Sequence, residues 1–393
     1  MFAGHCDGGL DRRYLRFMTA LESMALDSRR SLLLDLLRGL ACGMVLVYHL
    51  NSWLPTGLGQ GAMELFFVLS GYLIAKSLAK SVDRKGWPGV KEFTVRRMRR
   101  LMPAMGGFLI GALMLNIWLT DVIWTELSWA SVSSLFGWYN FYWLREEPSV
   151  IGYGGIWSLS LEEQFYVTSL VVVLAVRAIS ARPAIWLGTL TALLLGWGLG
   201  WRIAAYTGVY SPPWVPYIAY LPLLRFWGFG LGAFVAWLEL VRPVKATLGR
   251  GLTFVATVLI LWFMAWMVDS VAFYDANTFM LQWLLVPVGG AALIRLAPAI
   301  DAAMTAGFRA LESWPIVARR AIFQTVGACR LFGVASYSIY LWHCLVLAGF
   351  RHEELFGTTE IWWLMAFLSV LTGLLSWKFI EQRFYSFGAA KRI

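Results

Sequence analysis

Long apolar runs separated by short polar segments recur along the chain. Ten of them reach the roughly 20 residues that a helix needs to cross a hydrocarbon core. They lie near 34–54, 61–80, 101–120, 156–177, 183–203, 217–239, 252–270, 279–297, 332–350 and 361–381. A further stretch, 122–143, is apolar and Trp-rich, but Asp121 borders it and Glu126 and several serines interrupt it. It is expected to be an interfacial or re-entrant piece between the third and fourth spans. The pattern predicts an all-α polytopic membrane bundle of about ten transmembrane helices. The longest stretches outside the spans are the first 30 residues and 298–331, and no internal repeat or low-complexity linker is visible. The expected organisation is a cytoplasmic segment over 1–30, a transmembrane domain over 31–385 and a cytoplasmic tail over 386–393.

Composition supports this class. Of 393 residues, 59% are hydrophobic and 14% charged, against about 45–50% and 25% in soluble domains. The 22 Trp, 15 Tyr and 25 Phe make up 16% of the chain, more apolar area than a soluble globule of this size could cover. A two-domain enzyme with a large water-soluble half is excluded. The net charge of +10 could point to nucleic acid, but its distribution says otherwise. With the N-terminus inside and spans alternating, all but four of the 33 Lys and Arg fall on cytoplasmic segments. The exceptions are Arg145, Arg202 and Arg351 on outer loops and Arg225 within a span. This asymmetry implies an even number of spans with both termini cytoplasmic, and no nucleic-acid partner. The four cysteines, Cys6, Cys42, Cys329 and Cys344, are far apart and form neither a disulfide framework nor a zinc motif. No metal site is expected, and the charged first 30 residues do not read as a cleavable signal peptide.

In so apolar a chain, ionisable residues inside spans are expensive and therefore informative. In the first run, Arg38 and His49 are eleven residues apart. That is three turns plus about 20° and about 16 Å of rise, so both lie on one helix face. Asp35, three residues before Arg38, is placed to pair with it. The plainer reading is a snorkelling interface arginine and a core histidine. In the second run, Ser70-Gly71 follows Glu64 and permits close helix approach. The segment Arg96-Arg97-Met98-Arg99-Arg100 at the mouth of the third run is either a topology anchor that also touches anionic lipid or a phosphate clamp. For a clamp, the 3′-phosphate and diphosphate of a cytoplasmic CoA thioester are candidate ligands. Glu162 and Glu163 open the fourth run, and at least one of them must face the bundle interior. Glu162 falls at the depth of His49, so a carboxylate–imidazole pair is geometrically open. Arg225, Tyr340 and His343 add polar groups at membrane depth and extend the case for a polar cavity through the bundle.

Five stretches, in order and covering nearly the whole chain, resemble the acyltransferase 3 family of bacterial membrane O-acyltransferases. They are Leu34-Asp35 to His49, Glu64 to Tyr72, Arg97 to Pro103, Trp157 to Tyr166 and Tyr337 to His343. The resemblance implies a ten-span protein of the bacterial inner (plasma) membrane. Its donor would be an acyl-CoA, usually acetyl-CoA, entering from the cytoplasm. The acceptor would be a hydroxyl of a surface or lipid-linked glycan such as exopolysaccharide or lipopolysaccharide. The family's Arg-x10-His motif maps onto Arg38 and His49, with the histidine catalytic. Its Arg-x-x-Arg motif maps onto Arg97 and Arg100, implicated in donor binding or transfer. Two departures stand out: Gln382-Arg383 replaces a residue–Pro pair common in relatives, and no hydrolase-like domain follows the tenth run. The chain is therefore expected to acylate its acceptor itself or through a separate partner.

The resulting expectation assigns His49 as general base, or as transient acyl carrier, with Glu162 orienting it. Arg38, Arg97 and Arg100 bind the acyl-CoA, and Asp35, Ser70, Arg225, Tyr340 and His343 support the site. Membrane lipids surround the bundle, and assembly into a homo-oligomer is left open. Competing readings are a transporter or flippase for a lipid-linked sugar, and acylation of a small molecule such as a macrolide. The aromatic residues of 121–155 (Trp124, Trp129, Trp138, Tyr139, Tyr142 and Trp143) are either an acceptor-stacking surface or part of an interfacial belt.

Overall fold

The computed structural model describes residues 18–25, 27, 30–50, 56–121, 123–146, 149–207, 222–242, 276–351 and 361–386. The predicted run 252–270 lies outside the described residues. The described residues are almost entirely helical, and no strand occurs among them. A short helix over 18–25 (α1) is followed by α2 (Leu32–Leu50), α3 (Thr56–Lys85), α4 (Trp87–Leu119), α5 (Trp124–Leu135), α6 (Tyr139–Glu146) and α7 (Ile156–Arg177). Then come α8 (Pro183–Tyr206), α9 (Pro222–Val241), α10 (Ala276–Ala310), α11 (Ile316–Val334), α12 (Ser336–Arg351) and α13 (Trp362–Ser376). A five-residue π turn, Trp377–Glu381, leads from α13 into α14 (Gln382–Ser386).

Seven helices among the described residues are long and apolar enough to cross a membrane, or eight if α11 and α12, bent by 71°, form one span. At about 1.5 Å per residue, the 33 residues of α4 measure roughly 50 Å, more than a hydrocarbon core of about 30 Å. The excess puts its arginine run at or beyond one membrane face. Further along, Ile110, Leu113, Met114, Ile117 and Trp118 form an exposed apolar stripe at helical spacing, the surface that lipid would cover.

The segment 122–143 forms two short helices, of 12 and 8 residues. Neither is long enough to span, in keeping with an interfacial or re-entrant piece. Gly137, at φ +73°, makes the turn between them. The stretch 298–331, outside the predicted spans, is largely helical, because α10 runs on to Ala310 and α11 begins at Ile316. At the other end, Gln382 and Arg383 supply the backbone N–H groups that a proline would lack, so the chain stays helical past Glu381.

Glycines let the central helices meet backbone to backbone. A Cβ on Gly71 of α3 would sit 2.3 Å from the Phe229 carbonyl oxygen of α9, and one on Gly232 of α9 would sit 2.1 Å from the Val68 carbonyl oxygen. Close approach at Ser70-Gly71 is thus realised. The seam is filled by Phe67, Phe165 and Phe229, with Phe165 stacked on Phe229 at 4.6 Å between centroids. A second seam joins α2 to α11, where a Cβ on Gly333 would fall 1.7 Å from the Asp35 carbonyl oxygen. The N-terminal stretch docks on α11 too: the Leu21 carbonyl lies where a Gly327 side chain would be. These seams set the spacing of the polar groups between α2, α3, α4, α7 and α12.

Candidate active site

A cavity of about 350 Å³ opens between these helices, within the range of small-molecule sites. Five arginines line it (Arg30, Arg38, Arg96, Arg97 and Arg100), against two carboxylates, Asp35 and Glu162. The walls are therefore net positive, a setting for an anionic ligand. Arg38 projects from α2, Ser70 from α3, the arginine run from α4, Glu162 from α7 and Tyr337 from α12.

The ion pairs inside differ from those expected. Asp35 does not pair with Arg38. Its carboxylate accepts from Arg330 Nε at 2.9 Å, and the same guanidinium donates to the carbonyls of Met24, Asp27 and Arg30. Local i,i+3 spacing loses because the close α2–α11 seam brings a buried guanidinium directly against the carboxylate. Arg38 instead donates from Nε to Ser336 Oγ at 3.3 Å, at the start of α12.

Glu162 does not orient His49 either. It forms an ion pair with Arg97, and the Ser70 hydroxyl bonds it as well. Arg100 Nε pairs with Glu381 Oε1 at 3.0 Å, and the other oxygen of Glu381 accepts from Ser338 Oγ at 3.0 Å. Arg96 bonds Glu92 and Ser81. The arginine run is thus not a bare clamp. Arg96, Arg97 and Arg100 are held in fixed directions by carboxylates, each still carrying further N–H donors.

From this cavity a narrower space of about 40 Å³ continues inward, sharing Arg38, Ser70, Glu162 and Tyr337 with the first and adding Ser158 and Tyr340. The Ser158 and Tyr340 hydroxyls bond each other at 2.7 Å, and Tyr340 also bonds the Gly155 carbonyl oxygen at 3.1 Å. One turn on, the buried His343 bonds the Tyr340 carbonyl through Nδ1 and meets Cys344 Sγ at 3.2 Å through Nε2. The His343 ring stands beside His49, centroids 5.2 Å apart. Arg38 and His49 thus both meet α12, as residues on one face of α2 must. Polar groups run from the arginines, through Arg38, Ser158 and Tyr340, to the His343–His49 pair.

Arg225 lies outside this line. It is fully buried in an ion pair with Glu64, donates to Gln60 Oε1 at 2.5 Å and packs over Phe67 and Trp157. Its charge is matched within the α3–α9 seam. Of the aromatic residues in 121–155, Tyr139 and Tyr142 belong to the core, while Trp124 and Trp129 point outward. Among the described residues no group of three or more His, Cys, Asp or Glu is placed to hold a metal ion.

Glu381 and Arg330 were not singled out by the sequence. Glu381 closes the last apolar run, where a lone carboxylate is itself a signal. Arg330 reads as one more positive charge of a cytoplasmic segment.

A family model described as an acyltransferase domain, that of the acyltransferase 3 family, matches residues 32–380. A Staphylococcus aureus (strain COL) protein, provisionally named as an O-acetyltransferase, is 26% identical over 373 residues, covering 89% of this chain and 56% of the relative. The chain thus spans little more than half the length of that relative. The peptidoglycan O-acetyltransferase OatA of Listeria monocytogenes is 33% identical over 141 residues, which is 34% of this chain and 22% of that protein. A Bacillus subtilis protein, provisionally named as a peptidoglycan O-acetyltransferase, matches to the same extent. No solved structure matches the chain.

Proposed function

The chain belongs to the acyltransferase 3 family, and from that premise we propose that it moves an acetyl group from acetyl-CoA to a hydroxyl of a cell-envelope glycan. The observation that carries this reading is the continuity of the site. A cavity lined by five arginines leads to a narrower space at Arg38, Ser158 and Tyr340, and the Tyr340 ring touches His343, which stands beside His49. A phosphate-bearing donor suits the basic end, and proton transfer suits the histidine end.

In this reading Arg97 and Arg100, aimed by Glu162 and Glu381, hold the donor with Arg38, and the acyl-bearing arm points along α2. His49 removes the proton from the acceptor hydroxyl as its oxygen attacks the thioester carbonyl. The carbon–sulfur bond breaks, and the departing CoA sulfur takes up a proton. Base catalysis of this kind contributes about 10²- to 10⁴-fold. His343 packs against His49 and fixes where that ring sits. The names of the relatives favour peptidoglycan as the acceptor. The accompanying topology is ten spans in the inner membrane with both termini cytoplasmic.

The test is thiol release from acetyl-CoA by the purified protein in lipid nanodiscs, with and without peptidoglycan fragments. Release that rises with the fragments, matched by acetylated product in the mass spectrum, is expected. Release indifferent to any glycan acceptor contradicts the assignment.

A further inference from the structure

Beside the basic cavity lies a second and larger one, of about 730 Å³, walled by α1, the far end of α10 and the start of α11. The two cavities share Arg30 and Ser31 in their walls, so a ligand can occupy both. Their chemistry differs. The first carries five arginines, three of them from α4, against two carboxylates. The second has an apolar floor that includes Phe308 and Phe323, which meet edge-to-face at 5.3 Å.

Around that floor stand Arg309, Arg319 and Arg320. Unlike Arg97 and Arg100, these are not locked to buried carboxylates. Arg319 donates to the Glu312 carbonyl oxygen at 3.4 Å, and Arg320 is 61% exposed with Glu22 4.0 Å away. The wall also contains Asp27, Asp301 and Glu312, and Asp301 accepts from the Leu33 N–H at 2.8 Å. Four arginines and four carboxylates therefore balance here. Such a wall does not suit a polyanion throughout. It suits a flat aromatic ring bearing amine hydrogens, with one phosphate at the rim.

We infer that the second cavity receives the 3′-phosphoadenosine end of the acyl-CoA donor. The adenine lies on the Phe308–Phe323 floor, and the 3′-phosphate sits among Arg309, Arg319 and Arg320. The diphosphate passes Arg30 into the basic cavity, where Arg97 and Arg100 face it, and the pantetheine arm runs on toward Arg38. Base–aromatic stacking and guanidinium–phosphate forks are the attractions involved. The inference rests on the acyl-CoA reading above and adds where the nucleotide end binds.

The experiment compares KM for acetyl-CoA and for 3′-dephospho-acetyl-CoA, using the full chain in nanodiscs and thiol release as readout. Wild type is expected to favour acetyl-CoA by about tenfold or more, the effect of one charge-assisted contact. In Arg319→Ala/Arg320→Ala the ratio of the two KM values should fall to near one, and in Arg319→Lys/Arg320→Lys it should fall only partly. Both side chains make only peripheral contacts, so the variants should fold. A ratio unchanged in the alanine variant, or a wild type indifferent to the 3′-phosphate, overturns the inference while leaving the donor reading intact. Wild type that cleaves neither thioester overturns both.

Discussion

Arg330 gathers four acceptors around one guanidinium: the Asp35 carboxylate and the carbonyls of Met24, Asp27 and Arg30. It holds the residues before α2 and fixes the end of the helix that carries Arg38 and His49. Removing it would leave a buried carboxylate and three carbonyls without their donor. Breaking a buried pair from one side costs about 3–5 kcal/mol, so Arg330→Ala should lower the thermal unfolding midpoint sharply in detergent. Asp35→Asn, whose amide oxygen still accepts from the guanidinium, should cost clearly less. Equal losses would show that Arg330 acts mainly through its charge pair with Asp35 and little through the backbone carbonyls. At this scale the sequence marked the buried charges but not their partners. Asp35, Arg38, Glu162 and Arg225 stood out because charge is rare inside apolar runs. Sequence proximity then favoured Asp35 with Arg38, and similar depth favoured Glu162 with His49. The partners found instead, Arg330 and Arg97, come from helices whose placement no local spacing specifies.

The elements were legible where hydropathy alone decides them. The apolar runs within the described residues are helical, and the interrupted stretch at 122–143 is two short helices. Less legible were the bend between α11 and α12, the helical course of 298–331 and the π turn at Trp377–Glu381. Each depends on tertiary packing or on the balance of hydrogen bonds within one turn. The π turn matters to the site because it is where Glu381 reaches both Arg100 and Ser338, and such turns often occur at functional positions. Glycine positions separate tight seams from open helix faces. Gly71→Ala would force a methyl group against the α9 backbone and should destabilise by about 1–3 kcal/mol. Gly106→Ala, with nothing within 4 Å of the added carbon, should be neutral or stabilise by up to about 1 kcal/mol. Unfolding midpoints of the two variants check this, and a similar loss in both would mean that the α3–α9 seam is looser than described.

At the scale of the whole molecule, apolar and charged side chains are kept apart. Outward-facing side chains such as Ile110, Met114 and Trp118 are apolar, while Arg97, Arg100 and Arg225 between helices each meet a carboxylate, Glu162, Glu381 and Glu64. The Arg225–Glu64 pair belongs to the seam, and in the proposed reading the line from the α4 arginines to His49 carries the chemistry. The membrane class and the basic bias were visible in composition and charge position. The path was not, since it depends on α12 bringing Ser336, Tyr340 and His343 alongside α2. The central claim is that donor binding and proton transfer occupy opposite ends of that path. The most direct test measures acetyl-CoA affinity and acetyl-transfer turnover together in His49→Ala. Affinity within about threefold of wild type with turnover lowered at least about 10²-fold is the predicted result. Turnover close to wild type, or affinity lost in proportion to turnover, would contradict it.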